Sequence, residues 1–186
     1  MPKDKTNSAI LIVLIAGILW SFGALVVRYI EDARSVPWQY LFFRGLTIFV
    51  LLNLYLFFKQ GKSFVKNYKK IDLSIIIGGA GFATAFIGFI WSITHTSAAV
   101  TLMMLAAMPF MTAILGYIFL KEKVSPTTLI SIIVAAVGIT FMAFSSSKAG
   151  TLFGLALGLL SSLGFSIASV SLRWNKRTPT FTTVSL

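Results

Sequence analysis

The sequence predicts an all-α, polytopic membrane protein with six transmembrane helices. They divide into a first five-helix repeat and the first helix of an inverted second repeat. Three observations carry this expectation. First, only 11% of the 186 residues are charged while 57% are hydrophobic, and the mean hydropathy is +0.90. A soluble domain carries about 25% charged residues, so polar side chains here are too few to coat a particle of this size in water. Second, long stretches lack Asp, Glu, Lys and Arg altogether. Third, one short pattern recurs near both ends of the chain.

Runs free of those four residue types cover 8–27, 45–58, 73–120, 124–147 and 149–172. A bilayer crossing takes about 20 apolar residues. The first run gives a span over 9–29, behind a short N-terminus at 1–8. Lys3 and Lys5 ahead of it resemble the start of a signal peptide. Its apolar run exceeds the usual 7–15-residue h-region (roughly), and no A-x-A site follows, so it is read as a retained anchor. The second run extends back to Pro37 if Arg44 is tolerated inside, giving 37–58. The third is too long for one helix. It is expected to turn near Thr94-His95-Thr96-Ser97, its most polar tetrad, which yields 73–94 and 97–120. The last two runs give 126–144 and 150–172. The first repeat then occupies 9–146, and 150–186 begins the second. No alternating barrel-strand pattern competes with these runs.

The net charge is +11. In so apolar a chain this points to loop charges sorted across a membrane, not to nucleic acid. With the N-terminus inside, twelve basic residues fall on the cytoplasmic side: Lys3, Lys5, Lys59, Lys62, Lys66, Lys69, Lys70, Lys121, Lys123, Arg173, Lys176 and Arg177. Three fall outside: Arg28, Arg34 and Lys148. That bias predicts cytoplasmic N- and C-termini in a cell or cytoplasmic membrane. The basic loop 59–70 sets this topology and is placed to touch anionic lipid.

The recurring pattern is ILWSFGALVVR, 18–28, set over LGFSIASVSLR, 163–173. Trp20 lies over Phe165, Ser21 over Ser166, Gly23 over Ala168 and Arg28 over Arg173. The segments that follow, RSVPWQYL and RTPTFTTV, each carry an early proline, Pro37 and Pro179. The period is five spans. Five is odd, so the second copy enters from the opposite face, as in the inverted repeats of secondary transporters. The residues after 172 are too few to span again. The chain is therefore expected to be the N-terminal part of a longer protein, with further C-terminal helices or a homo-oligomer completing the bundle.

These residues resemble the drug/metabolite transporter superfamily in its EamA-type branch. The most specific block is THTSAAVTLMMLAAMPFMTAILGYIFLKEKVSPTTLISIIVAAVG, in which Thr96-Ser97-Ala98 fits the opening of the family's fourth helix. Pro109 fits its mid-helix proline, Glu122 its terminal glutamate and Gly138 the fifth-helix glycine. Trp20-Ser21 resembles the motif of helix one and Arg44 the arginine of helix two. The resemblance implies a ten-helix bundle of two inverted five-helix repeats with both termini cytoplasmic. It implies transport of small organic solutes or metabolites, with no cofactor and no metal.

Trp20, Ser21, Arg44, Trp91 and Pro109 are the candidates for the substrate cavity. Glu122 and Gly138 are candidates for a gate or a structural role. Pro109 removes a backbone donor and frees a carbonyl one turn earlier, which marks either a hinge or a static kink. Arg44 stands alone among Lys and Arg in lying well inside a span, where insertion costs about 2.5–3.5 kcal/mol. It either faces the cavity and attracts anionic or zwitterionic solutes, or bonds helix-end carbonyls. Glu122 opposes the dipole at a helix C-terminus and is expected to pair with a basic group at the cytoplasmic face. His95 reads as a polar turn residue. Phe165 is a further aromatic that either lines a cavity or packs. Gly78, Gly79, Gly81 and Gly88 give span three a small-residue face for close helix packing. Phe42, Phe43, Phe49, Phe57 and Phe58 on span two face lipid or pack.

With no cysteine, one histidine and no acid inside any span, the chain lacks the side chains an intramembrane enzyme needs. A channel filter motif is likewise not visible. A structural or oligomer-forming membrane subunit is the alternative to a transporter. The missing intramembrane acid also leaves proton coupling without a group in these spans.

Overall fold

The structure is a computed structural model, and it describes residues 3–29, 37–61, 72–145 and 152–174. Arg34, the loop lysines Lys62, Lys66, Lys69 and Lys70, Lys148, and Lys176, Arg177 and Pro179 lie outside the described residues. Among the described residues there are seven helices and no strand. They are α1 (Lys3–Tyr29), α2 (Pro37–Gln60), α3 (Leu73–His95), α4 (Ala98–Leu105), α5 (Met108–Leu120), α6 (Pro126–Ser145) and α7 (Leu152–Trp174).

Every expected span coincides with helix, but the fourth is divided in two. By length and composition, four stretches are able to cross a membrane: Pro37–Gln60, Leu73–His95, Ala98–Leu120 and Leu152–Trp174. The apolar parts of α1 and α6 are shorter, Ile10–Leu19 and Pro126–Gly138. The chain is thus an integral, multi-pass membrane protein.

Helix ends follow local chemistry. The Asp72 side chain accepts from Leu73 N at 2.6 Å and starts α3. The expected turn between α3 and α4 falls at Thr96 and Ser97, which are both extended. Ser97 then caps α4, accepting from Val100 N through its hydroxyl at 3.2 Å. Ser125 does the same for Thr128 N at 3.1 Å, and Pro126 opens α6, where its missing N–H costs nothing.

The centre of the fold is α7 laid antiparallel along α3. Ser171 Oγ donates to Ser74 O, Ser161 Oγ to Ala85 O at 2.7 Å, and Ser92 Oγ to Gly154 O at 2.8 Å. Glycines let the two backbones touch. A Cβ on Gly81 would stand 2.8 Å from Gly164 O, and one on Gly88 2.8 Å from Leu157 O. The small-residue face expected on span three therefore receives a matching face on α7, Gly154, Gly158, Ser161, Gly164 and Ala168. Small residues take this role in membranes because lipid removes the hydrophobic drive between helices and leaves packing and hydrogen bonds to hold them.

The α4–α5 segment runs parallel to α7 on its other side. Ser162 Oγ donates to Met104 O at 2.5 Å and Ser166 Oγ to Met108 O at 3.0 Å. On the far side of α3, Val27 of α1 joins Phe89, Ile90 and Ile93, with Tyr40 and Leu41 of α2 packed against them. By contrast, α6 has no buried residue among those described. The five phenylalanines of α2 are all exposed to the surroundings, as lipid-facing residues are.

Gly164→Ala would set its Cβ 2.6 Å from Ala85 N. It is expected to part α3 from α7 and destabilise the detergent-solubilised protein by about 1–3 kcal/mol. Gly138→Ala, whose Cβ meets nothing within 4 Å, is expected not to lower the melting temperature. Thermal unfolding followed by size-exclusion chromatography measures both.

Candidate functional site

Arg44 sits on α2, seven residues past Pro37, or about 10 Å along the helix at ~1.5 Å per residue. Its guanidinium carbon lies over the Phe86 ring, 4.5 Å from the centroid. Phe86 is near the middle of α3. Phe165, near the middle of α7, sets its ring edge-on to Phe86 at 5.7 Å and to Phe82 at 6.2 Å. Phe82 and Phe86 stack at 6.3 Å, one helical turn apart. The result is a phenyl wall shared by α3 and α7 with one cation resting on it. A ring face attracts a cation through its quadrupole, most strongly when water is excluded. Among the described residues Arg44 has neither an ion pair nor a bond to a helix-end carbonyl. The structural role weighed for it above has no such bond behind it among the described residues. Phe82 and Phe86 were not among the sequence candidates, although their four-residue spacing places them on one helix face.

Trp91 belongs to a second cluster, toward the end of α3 away from Asp72. Trp38 meets it edge-on at 5.7 Å, and His95 stacks on it at 5.4 Å with 7° between the planes. Phe153 of α7 closes the row against His95 at 5.2 Å. His95 Nδ1 lies 2.8 Å from Trp91 O. A carbonyl only accepts, so Nδ1 carries the proton. His95 is at the turn as expected, and it also adds a ring to this cluster. The Trp91 indole N–H is the sole buried side-chain polar atom without a partner among the described residues. Leaving a donor so costs about 1–3 kcal/mol.

Pro109 stands in the first turn of α5, not in mid-helix. The chain leaves the α-helix at Ala106 and Ala107, where Ala107 N bonds back three residues to Met104 O at 3.1 Å. Proline tolerates the first turn because its missing donor would have no partner there. The adjoining carbonyls are served from α7 by Ser162 and Ser166, which is how membrane proteins accommodate broken helices. Pro109 itself is exposed.

Glu122 forms an ion pair with Arg173, Nη1 to Oε2 2.7 Å. Lys121 makes this possible by adopting a left-handed φ of 54°, which turns the chain so that Glu122 N bonds Gly116 O at 3.2 Å. This is a Schellman-type stop, normally given to glycine. Gly116 leaves room for the carboxylate, since a Cβ there would lie 2.8 Å from Glu122 Oε2. Arg173 was not on the list of site candidates, yet it is the arginine that the repeat comparison aligned. Gly138 touches nothing within 4 Å of a would-be Cβ. Trp20 and Ser21 are on α1, and their side chains lie outside the described residues. The structure therefore joins Arg44 to Phe165, places Trp91 in a separate cluster, and leaves Pro109 and Glu122 at other places on the bundle. Among the described residues, no group of three His, Asp or Glu is placed to hold a metal.

The sequence profile of the EamA-like transporter family matches residues 7–144. The chain belongs to the EamA-like transporter family. Two relatives of this EamA protein are an uncharacterized transporter of Helicobacter pylori strain J99 and the uncharacterized transporter YojE of Bacillus subtilis. The first is 28% identical over 164 residues, which is 87% of this chain and 53% of the relative. The second is 25% identical over 170 residues, 88% of this chain and 55% of the relative. The chain thus spans about half the length of the curated relatives it matches. No solved structure matches. Family and relatives point to a membrane transporter and away from an enzyme.

The two side chains of the Arg173–Glu122 pair are 41% and 45% exposed. A double-mutant cycle with Glu122→Gln and Arg173→Gln, read by thermal unfolding, is expected to give a coupling of about 1 kcal/mol or less, as for half-solvated ion pairs generally.

Proposed function

We propose that this EamA protein forms the first repeat, and the opening helix of the second, of a secondary transporter for small organic solutes or metabolites. The observation that carries this is the cation resting on a phenyl wall built jointly by the middle turns of α3 and α7. Under the repeat assignment α3 belongs to the first copy and α7 to the second. Secondary carriers place solute near the bilayer midplane where their repeats meet, and an ionisable group at membrane depth marks such a pathway.

All six helical spans cross the membrane in this reading, with α1 and α6 included. Helix directions support the assigned sides. The antiparallel pairing of α2 with α3, and the ion pair joining α5 to α7, gather Lys59, Lys121, Lys123 and Arg173 at one end, which is the cytoplasmic one under the positive-inside rule. The aromatic cluster around Trp91 then lies toward the outer side. The Glu122–Arg173 pair closes the cytoplasmic end between the copies. An exposed pair of this kind is worth at most about 1 kcal/mol, weak enough to break in every cycle. The divided span at Ala106–Ala107, next to Pro109, supplies the bend between the closed and open forms.

A second reading, a structural or oligomer-forming subunit without transport of its own, draws on the exposed apolar faces of α2 and α6. Solute counterflow in proteoliposomes separates the two. Counterflow by the chain, alone or with the second half of a relative, is expected. Assembly without counterflow in either case sinks the transporter reading.

In whole cells, Lys123→Cys is expected to resist a membrane-impermeant thiol reagent while Gln39→Cys reacts. The reverse pattern would invert the topology. With Pro109 as a hinge, Pro109→Ala is expected to keep assembly and slow counterflow severalfold. Unchanged rates would make the break a packing feature.

A further inference from the structure

We propose that Arg44 binds the carboxylate of a small organic monoanion whose apolar or aromatic body lies along Phe82, Phe86 and Phe165. This rests on the transporter reading above and names the solute class for its site. Phe86 takes up one side of the guanidinium and uses none of its five N–H donors. Among the described residues nothing else uses them either. Arg presents these donors as a planar fork matched to a carboxylate, and stacks on aromatic faces at the same time. The charge balance points the same way. The four helix stretches long enough to cross contain no acid between their ends, and the two acids at their margins are occupied elsewhere. Asp72 caps α3 and Glu122 holds Arg173. A single half-buried cation is completed by a single negative charge, which fits a carboxylate better than a phosphate dianion.

The serines of α7 do not favour polyol-like solutes. The hydroxyls nearest the wall along α7 already donate to backbone carbonyls: Ser161 to Ala85, Ser162 to Met104 and Ser166 to Met108. Fully buried and already donating, these three offer no hydroxyl proton to a sugar or a nucleoside ribose. What remains for recognition is one fork of donors and three phenyl rings.

The test uses the full chain purified in a neutral detergent, with radiolabelled benzoate as the probe and phenylacetate, benzyl alcohol and benzylamine as competitors. Saturable benzoate binding is expected, displaced by phenylacetate and not by the neutral or cationic analogue. Arg44→Gln should weaken it about tenfold or more, in line with loss of a charge-assisted bidentate bond. Arg44→Lys, a point charge without the fork, should fall between. Phe86→Leu should weaken benzoate while leaving its preference over benzyl alcohol and benzylamine unchanged. If Arg44→Gln does not assemble, the selectivity of the unaltered protein decides alone. Benzylamine or benzyl alcohol binding as well as benzoate, or Arg44→Gln binding benzoate undiminished, overturns the carboxylate assignment and leaves the transporter reading standing. Failure of all four probes to bind, together with no counterflow of any solute, overturns both.

Discussion

The contact of two backbones, α3 and α7, is the constraint on which the other packing depends. It exists because Gly81, Gly88 and Gly164 offer no side chain where the helices cross, so the peptide planes approach to distances that a single methyl group would forbid. In water such a seam would be supported by the burial of large apolar groups. In lipid that drive is absent, and close packing with interhelical hydrogen bonds replaces it. The hydroxyls of α7 fill this role on both sides, toward α3 through Ser161 and Ser171 and toward α4–α5 through Ser162 and Ser166.

The same requirement makes the remaining polar groups informative. A bilayer offers no water, so each polar atom within it is normally satisfied by protein. Most here are, including the carbonyls beside the break at Ala106–Ala107. Two are not. The Trp91 indole N–H lacks an acceptor, and Arg44 has only a ring face for its charge. Both lie on the α2–α3 side of the bundle and at different depths. Unspent capacity for hydrogen bonding is what a solute site consists of before the solute arrives.

The helices were legible in the sequence because a membrane imposes two strict conditions, length and apolarity, and charged residues mark where they fail. Span three, expected over 73–94, is observed as Leu73–His95. The turn at Thr96 and Ser97 was legible because only polar residues with capping hydroxyls interrupt a long apolar run. The division of span four was not, since Pro109 alone signals a kink and says nothing of the α7 serines that bond the flanking carbonyls of Met104 and Met108. The partner of Glu122 was foreseen only as a basic group, because Arg173 stands 51 positions away and pairing across that interval needs the helix directions. Phe82 and Phe86 were missed for a related reason. In an apolar span, phenylalanines that face lipid, as on α2, and those that line a site read alike.

The serine and glycine seam also decides which parts can move relative to one another. A slide of α7 along α3 by one residue, about 1.5 Å, would bring Cβ atoms into glycine positions that admit none and would detach the three hydroxyls of Ser92, Ser161 and Ser171 at once. So α3 and α7, with the rings they carry, hold together as one block. The outer helix α2 meets it through side chains, Trp38 on Trp91 and Arg44 on Phe86, and not through a glycine seam. Arg44, carried by α2 and resting on rings carried by the block, then lies at the contact between the two, where a small displacement of one changes the setting of the charge.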